Sequence, residues 1–259
     1  MTEKVKTPEQ MAEGELNRKL GKSIANRQLQ IKKYEAEIKK LQKQIEKIKS
    51  GELVPDEGSL STKDEDDDSS SLSVIFLLDE SGSMVSKFDQ TISGFNEYLD
   101  TLQKEKKKIN ITLTKFSSRQ VEIVYSNIPV SQAHHLTTET YHPNGDTPLY
   151  DAIGKTVNKD KSNKKTLFVI MTDGEENSST EYRKDTIVSL IKQQETQGWT
   201  FVYLGADQNA WGNAQHLGLS HGNVLGYSGH DTYATFQSLS EKTIGYSQSR
   251  SKTTKNFWK

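Results

Sequence analysis

The chain has 259 residues, of which 32% are hydrophobic and 27% charged, with a formal net charge of −1 and no cysteine. That length accommodates one domain of ordinary size plus an appendage, and the near-zero charge gives no global pull toward nucleic acid or an anionic membrane. Disulfides and thiolate chemistry are excluded, the N-terminus lacks an apolar signal core and no run nears membrane-spanning length, so a soluble protein made in the cytoplasm is expected.

Residues 1–50 carry thirteen Lys or Arg against seven Asp or Glu. Within this basic arm Ile24, Ile31, Ile38 and Ile45 recur every seven residues, and Leu20, Tyr34, Leu41 and Ile48 fill the complementary position, with Arg27 interrupting. Such an a/d seam predicts an N-terminal coiled-coil helix and self-association through residues 16–50, the alternative being a single amphipathic helix; isoleucine at a with mostly Leu or Tyr at d favours two parallel strands, while the charges at e and g do not settle orientation. The basic charges surround an apolar seam and are mixed with acids, so a solvated helix face is expected rather than a nucleic-acid surface. From 51 to 72 the composition turns to Pro55, Gly58, serines and the run Asp64-Glu65-Asp66-Asp67-Asp68. Almost nothing there can be buried, which predicts a disordered acidic linker.

Residues 73–250 carry the folding pattern, ahead of a tail at 251–259. Val74–Leu78 is a continuous apolar run, as for a central parallel strand covered on both faces. Phe88, Ile92, Phe95, Leu99 and Leu102 give Lys87–Lys104 helical spacing. Ile109–Phe116 alternates as a strand, Val121–Tyr125 is a short second one, and the tight connection between them predicts one antiparallel pair. Leu149–Val157 reads as a helix with Pro148 in its permitted first turn. Then follow a strand at Leu167–Met171, a helix at Arg183–Gln194, a strand at Thr200–Leu204, a helix at Asn209–Leu217, a short edge strand at Val224–Tyr227 and a helix at Asp231–Tyr246. The alternation implies an α/β doubly wound, mostly parallel six-stranded sheet. Ligands in such sheets gather at the carboxyl ends of strands where the order reverses.

Three loops carry oxygen donors, and those of Asp79 and Asp173 lie at such ends. Asp79-Glu80-Ser81-Gly82-Ser83 follows the first strand, Gly145-Asp146-Thr147-Pro148-Leu149 opens a helix, and Thr172-Asp173-Gly174 follows the fourth strand. Carboxylate and hydroxyl oxygens suit hard cations. Alone, Asp-x-Ser-x-Ser is a weak signal; with Thr147 and Asp173 it resembles the metal-ion-dependent adhesion site of von Willebrand factor A domains. The stretches 144–152, 172–178 and 198–206 are also similar to stand-alone A-domain proteins of bacteria and their phages. The resemblance implies a Rossmann-like fold over roughly 73–250 and a Mg²⁺ site, with Mn²⁺ or Ca²⁺ as substitutes. It also implies that Ser81 and Ser83 bind the ion directly, with Asp79, Thr147 and Asp173 acting directly or through water. The remaining coordination position would be filled by an acidic group from a protein partner.

Asp146 departs from the small residue common before that threonine. With Glu80, Glu175 and Glu176 it either makes an acidic rim that tightens cation binding or is a solvated loop charge. Asp151, one helical turn after Thr147, either braces the metal loop or is structural. His134, His135 and His142 are irregularly spaced and unsupported by cysteine, so no transition-metal site is expected. Trp199, Trp211 and Trp258 are expected to pack rather than stack bases.

The functional reading is a metal-dependent protein-interaction domain, multimerised or tethered by its arm. The alternative is a phage or prophage assembly protein that uses the metal site for subunit contacts, which would place it in a virion, with Asp64–Asp68 as a candidate source of the carboxylate. An aspartyl-phosphate hydrolase would need a second acid two positions after Asp79, where Ser81 stands, and no triad or phosphate loop is present; no enzyme is expected.

Overall fold

The computed structural model describes residues 71–160, 164–205, 209–227 and 232–258, together with Lys39. The chain divides into two units, Met1–Asp64 and Glu65–Lys259, and all described residues except Lys39 belong to the second. The heptad seam and the acidic run lie outside the described residues.

The elements follow in chain order: β1 (Leu72–Asp79), a 3-10 turn (Gly82–Lys87), α1 (Phe88–Gln103), β2 (Ile109–Ser117), β3 (Gln120–Pro129), α2 (Leu149–Lys159), β4 (Lys165–Thr172), α3 (Lys184–Thr196), β5 (Trp199–Gly205), α4 (Ala210–His216), β6 (Val224–Gly226) and α5 (Thr232–Gln248). The strands form one six-stranded sheet in the order β3-β2-β1-β4-β5-β6. Every pairing is parallel except β2 with β3. The expected mostly parallel six-stranded α/β architecture is therefore the one observed.

Alternation along the central strands divides the interior into two cores. Val74, Phe76 and Leu78 face one side with Leu167, Val169 and Met171, covered by Phe95, Tyr98 and Leu99 of α1 and by Phe236 and Leu239 of α5. Ile75 and Leu77 face the other side with Phe168 and Ile170, covered by Ala152, Ile153 and Val157 of α2, Ile187 and Ile191 of α3, and Ala210 and Ala214 of α4. Each large side chain so buried stabilises the fold by about 1.5–3 kcal/mol relative to exposure, which is why both faces of β1 had to be apolar. Two close approaches tie helices in. Gly94 of α1 lies against the Phe236 ring of α5, and Gly154 of α2 against Tyr182, so a Cβ at either position would collide with the ring.

β3 runs further than Val121–Tyr125. Polar Ser126 and Asn127 break the apolar alternation, yet the strand resumes, because Asn127, at φ 48°, receives a side-chain hydrogen bond from Asn110 on its Oδ1 at 3.0 Å and donates its N–H to Thr112 Oγ1 at 2.9 Å. The β2–β3 ladder shifts register on both sides of Leu113, and the strand ends at Pro129. This is the long edge of the sheet. Pro148, expected in the first turn of α2, stands just before it at φ −80°, because the Leu149 N–H turns back onto the Thr147 carbonyl.

The sheet's order reverses between β1 and β4: from β1 the chain moves outward through β2 to β3, then crosses to β4 and moves the other way. β1 and β4 end together, with Leu78 opposite Met171. Asp79 and Thr172 thus reach the carboxyl edge side by side. Among the described residues no helix is long and apolar enough to cross a membrane.

Candidate metal centre

Asp79 is fully buried at the end of β1. Its Oδ1 accepts the Ser81 N–H at 2.7 Å, an Asx-type turn that folds the loop back over the strand end. Its Oδ2 accepts the Thr172 hydroxyl at 2.6 Å. The backbone is pinned on two further sides: Tyr141 donates its phenol to the Asp79 carbonyl at 2.7 Å, and the Glu80 N–H bonds Phe116 O at 2.8 Å. Burial pushes the Asp79 carboxyl up to about 6; the Thr172 and Ser81 hydrogen bonds oppose that rise and the Asp173 charge adds to it. Burial, with the nearby Asp79 charge second, likewise pushes the Tyr141 phenol up.

The second loop docks on the first. Gly82 N–H bonds Gly145 O and Asn144 N–H bonds Glu80 O, both at 2.8 Å. Gly145 sits at φ +82°, a left-handed conformation that glycine adopts without strain. Thr147 is buried and held reciprocally: its N–H donates to Asn177 Oδ1 at 2.8 Å, and Asn177 N–H donates to its carbonyl at 3.2 Å.

The third loop closes the cluster. Ser83 donates its hydroxyl to Asp173 Oδ1 at 2.5 Å, and Ser81 Oγ lies 3.0 Å from Ser83 Oγ. Gly174 covers the remaining side: a Cβ there would stand 2.9 Å from Thr147 Oγ1 and 3.6 Å from Ser83 Oγ. Its missing side chain leaves room over those two hydroxyls. The structure therefore brings Asp79, Ser81, Ser83, Thr147 and Asp173 into one cluster. Asp79, Ser81 and Thr147 form the buried floor, and Ser83 is exposed at the mouth.

Three hydroxyls and two carboxylates converging at an open edge are donors of the kind a hard divalent cation takes. Among the described residues no group of three or more His, Cys, Asp or Glu is placed to hold a metal. This cluster has only two acids and draws its other oxygens from Ser and Thr, so it lies outside that kind of grouping and still fits a hard ion.

The acidic rim is smaller than the four carboxylates would make it. Glu80 is buried, accepting Lys115 Nζ at 3.1 Å and the His142 N–H at 2.6 Å, so it points away from solvent. Glu176 accepts the N–H groups of Tyr150, Ser178 and Ser179 at 2.7–3.0 Å. It organises the loop instead of standing free. Asp151 accepts the N–H groups of Thr180, Glu181 and Tyr182 at 2.8–3.0 Å, which ties α2 to the loop that follows Asp173. Asp146 is exposed and braces its loop through the backbone, its N–H on Ser118 Oγ at 2.8 Å. Glu175 is exposed beside Asn209.

The histidines do not converge. His135 pairs with Asp100 at 2.7 Å, and His142 Nε2 lies 2.9 Å from Glu139 O. Trp199 is buried against Phe168 and Phe201, and Trp258 packs edge-on to Phe257; Trp211 is 39% exposed beside His221.

Four residues that shape the site carry no local sequence signal of their role. Thr172 and Tyr141 hold Asp79, Asn177 holds Thr147, and Lys87 places its ammonium 2.6 Å from Asp173 Oδ2. Thr172 and Asn177 do lie inside the Thr172–Ser178 stretch that marks the third loop.

The sequence model of the von Willebrand factor type A domain matches residues 73–242. Comparison with curated proteins gives no match. Among solved structures, proximal thread matrix protein 1 from the mussel byssus aligns at 11% identity and a TM-score of 0.50, over 66% of this chain and 45% of its own. This chain thus spans less than half the length of the mussel protein. A further structure of that protein, described as having a zinc-occupied MIDAS motif, aligns at 14% identity and a TM-score of 0.49 over 64% and 46%. The manganese-loaded TRAP protein of Plasmodium vivax aligns at 19% identity and 0.48, over 64% of this chain and 72% of its own. At 11% identity the likeness to the mussel protein is one of fold.

Proposed function

Because the chain belongs to the von Willebrand factor type A domain family, we propose that residues 73–250 form a divalent-cation-dependent protein-binding domain. In this reading Asp79, Ser81, Ser83, Thr147 and Asp173 hold Mg²⁺, and an acidic side chain from a partner completes its shell. The observation that carries the reading is the convergence of these five residues where the strand order reverses, with Ser83 exposed at the mouth. A bound divalent ion would supply a Lewis-acidic position open to a partner's carboxylate. Mg²⁺ suits a site that keeps waters; Mn²⁺ or Ca²⁺ are substitutes.

The chain's own residues supply the preorganisation. Asp79 is fixed by hydrogen bonds on both oxygens, and Thr147 by the Asn177 bracket, so little ordering is left to occur on binding. The neutral hydroxyls add donors without cancelling the ion's charge, which leaves attraction for an incoming carboxylate. The helical arm of residues 16–50 would place several such domains together, so that weak single contacts combine. In an assembly variant of the same reading, a particle component as in a phage, the run Asp64–Asp68 offers carboxylates a few residues ahead of β1.

The test measures Mn²⁺ binding by the full chain and by Asp79→Ala, alongside partner capture with Mg²⁺ or with chelator. Binding and capture are expected to be lost together in Asp79→Ala while the far-ultraviolet circular dichroism is kept. Capture that persists at full strength in chelator would remove the ion from the mechanism.

A further inference from the structure

We propose that Lys87 is a tethered cation that competes with the divalent ion for Asp173, lowering the site's affinity and supporting the fold when the ion is scarce. The inference rests on the metal-binding reading above. Lys87 closes the 3-10 turn that leaves the Asp79 loop, and that turn sends its side chain back over the cluster. Its ammonium lies 2.6 Å from Asp173 Oδ2, with the Lys87 side chain 17% exposed and that of Asp173 2% exposed. The other oxygen of Asp173 takes the Ser83 hydroxyl. Both oxygens of this carboxylate are thus engaged, one by a full positive charge.

Charge counting shows what that contact does. Asp79 and Asp173 bring two negative charges into a largely dry place, where an uncompensated carboxylate is strongly disfavoured. Lys87 offsets one of them. A divalent ion offsets both, so an ion together with a seated Lys87 leaves an excess positive charge only a few ångströms from the metal. Like charges that close repel strongly where water is excluded. The ion and the ammonium therefore weaken each other, and the coupling is reciprocal. Lysine suits the part: its charge is compact and well hydrated, and its four-carbon stem is flexible. The exposed neighbours Val85 and Ser86 leave the ammonium a way into solvent.

The experiment compares the full chain with Lys87→Met and Lys87→Arg, reading Mn²⁺ affinity by titration and thermal midpoint in chelator and in saturating Mg²⁺. Lys87→Met is expected to bind Mn²⁺ about 5- to 150-fold more tightly. Its midpoint falls in chelator and recovers in Mg²⁺, so its Mg²⁺-induced shift exceeds that of the unaltered chain, while Lys87→Arg keeps the charge and stays near the unaltered chain. A Lys87→Met that binds no more tightly, or that loses the same midpoint with and without Mg²⁺, overturns the inference and leaves the metal reading standing. No Mn²⁺ binding by the unaltered chain or by Lys87→Met removes both.

Discussion

Thr172, the last residue of β4, donates its hydroxyl to Asp79, the last residue of β1, at 2.6 Å. The bond crosses the line where the strand order reverses and aims the carboxylate. Thr172→Val keeps the shape and removes the donor, leaving a buried carboxylate oxygen unpaired. The expected cost is about 1–3 kcal/mol of stability in chelator, with the Asp79 carboxyl pushed further up and weaker Mg²⁺ binding. Chemical denaturation and Mg²⁺ titration of the variant check both.

The protonation of Asp79 sets a pH dependence of defined sign. Its folded value, raised to about 6, lies above the unfolded value, so the folded chain holds a proton that the unfolded chain has released. The contribution is full below about pH 4 and is lost as pH rises through the folded value. In chelator, the thermal midpoint of the unaltered chain should therefore gain on that of Asp79→Asn as pH falls from 7 to 5. In saturating Mg²⁺ the trend should reverse, because the ion needs the ionised carboxylate. Parallel midpoints for the two proteins in chelator across that range contradict the assignment.

The Asp151 carboxylate holds the loop at residues 180–182 through its backbone. Asp151→Ala removes the acceptor of three backbone N–H groups and is expected to cost about 1–3 kcal/mol. Mn²⁺ affinity, measured at a temperature where the variant is folded, should stay close to that of the unaltered chain. A large loss of affinity without loss of stability would reassign this carboxylate to the metal.

Gly94 and Phe236 set how closely α1 and α5 approach on one face of the sheet. Gly94→Ala forces a fully buried ring aside and is expected to cost about 1–3 kcal/mol. The urea midpoint should drop with little change in slope, since the surface exposed on unfolding is nearly the same. Mg²⁺ affinity should be unaffected, because neither residue takes part in the cluster.

The parts of this architecture written in local pattern were legible. β1, β4 and β5 are continuous apolar runs because both their faces are covered, and the helices show their covered faces at helical spacing. The oxygen cluster was legible because its donors sit in three short loops, each placed directly after a strand or before a helix. What escaped was pairing across long separations. Glu80 looks like a rim acid until Lys115, 35 residues away, is found against it; Lys87 looks like any exposed lysine until Asp173, 86 residues on, meets its ammonium. The far half of β3 escaped for another reason: its Asn127 is satisfied by side-chain bonds with Asn110 and Thr112 of β2, which periodicity does not register.

The shifted, proline-ended ladder of β3 bears on crowding. A long, regular sheet margin invites a second sheet to continue it, and native proteins interrupt such margins with bulges and proline. Here the departures at Leu113 and the end at Pro129 offer an incoming strand an irregular row of donors and acceptors. Pairing of a second sheet along this edge is thereby discouraged. Solutions of the domain should stay free of fibres at concentrations where a straightened β3 would not.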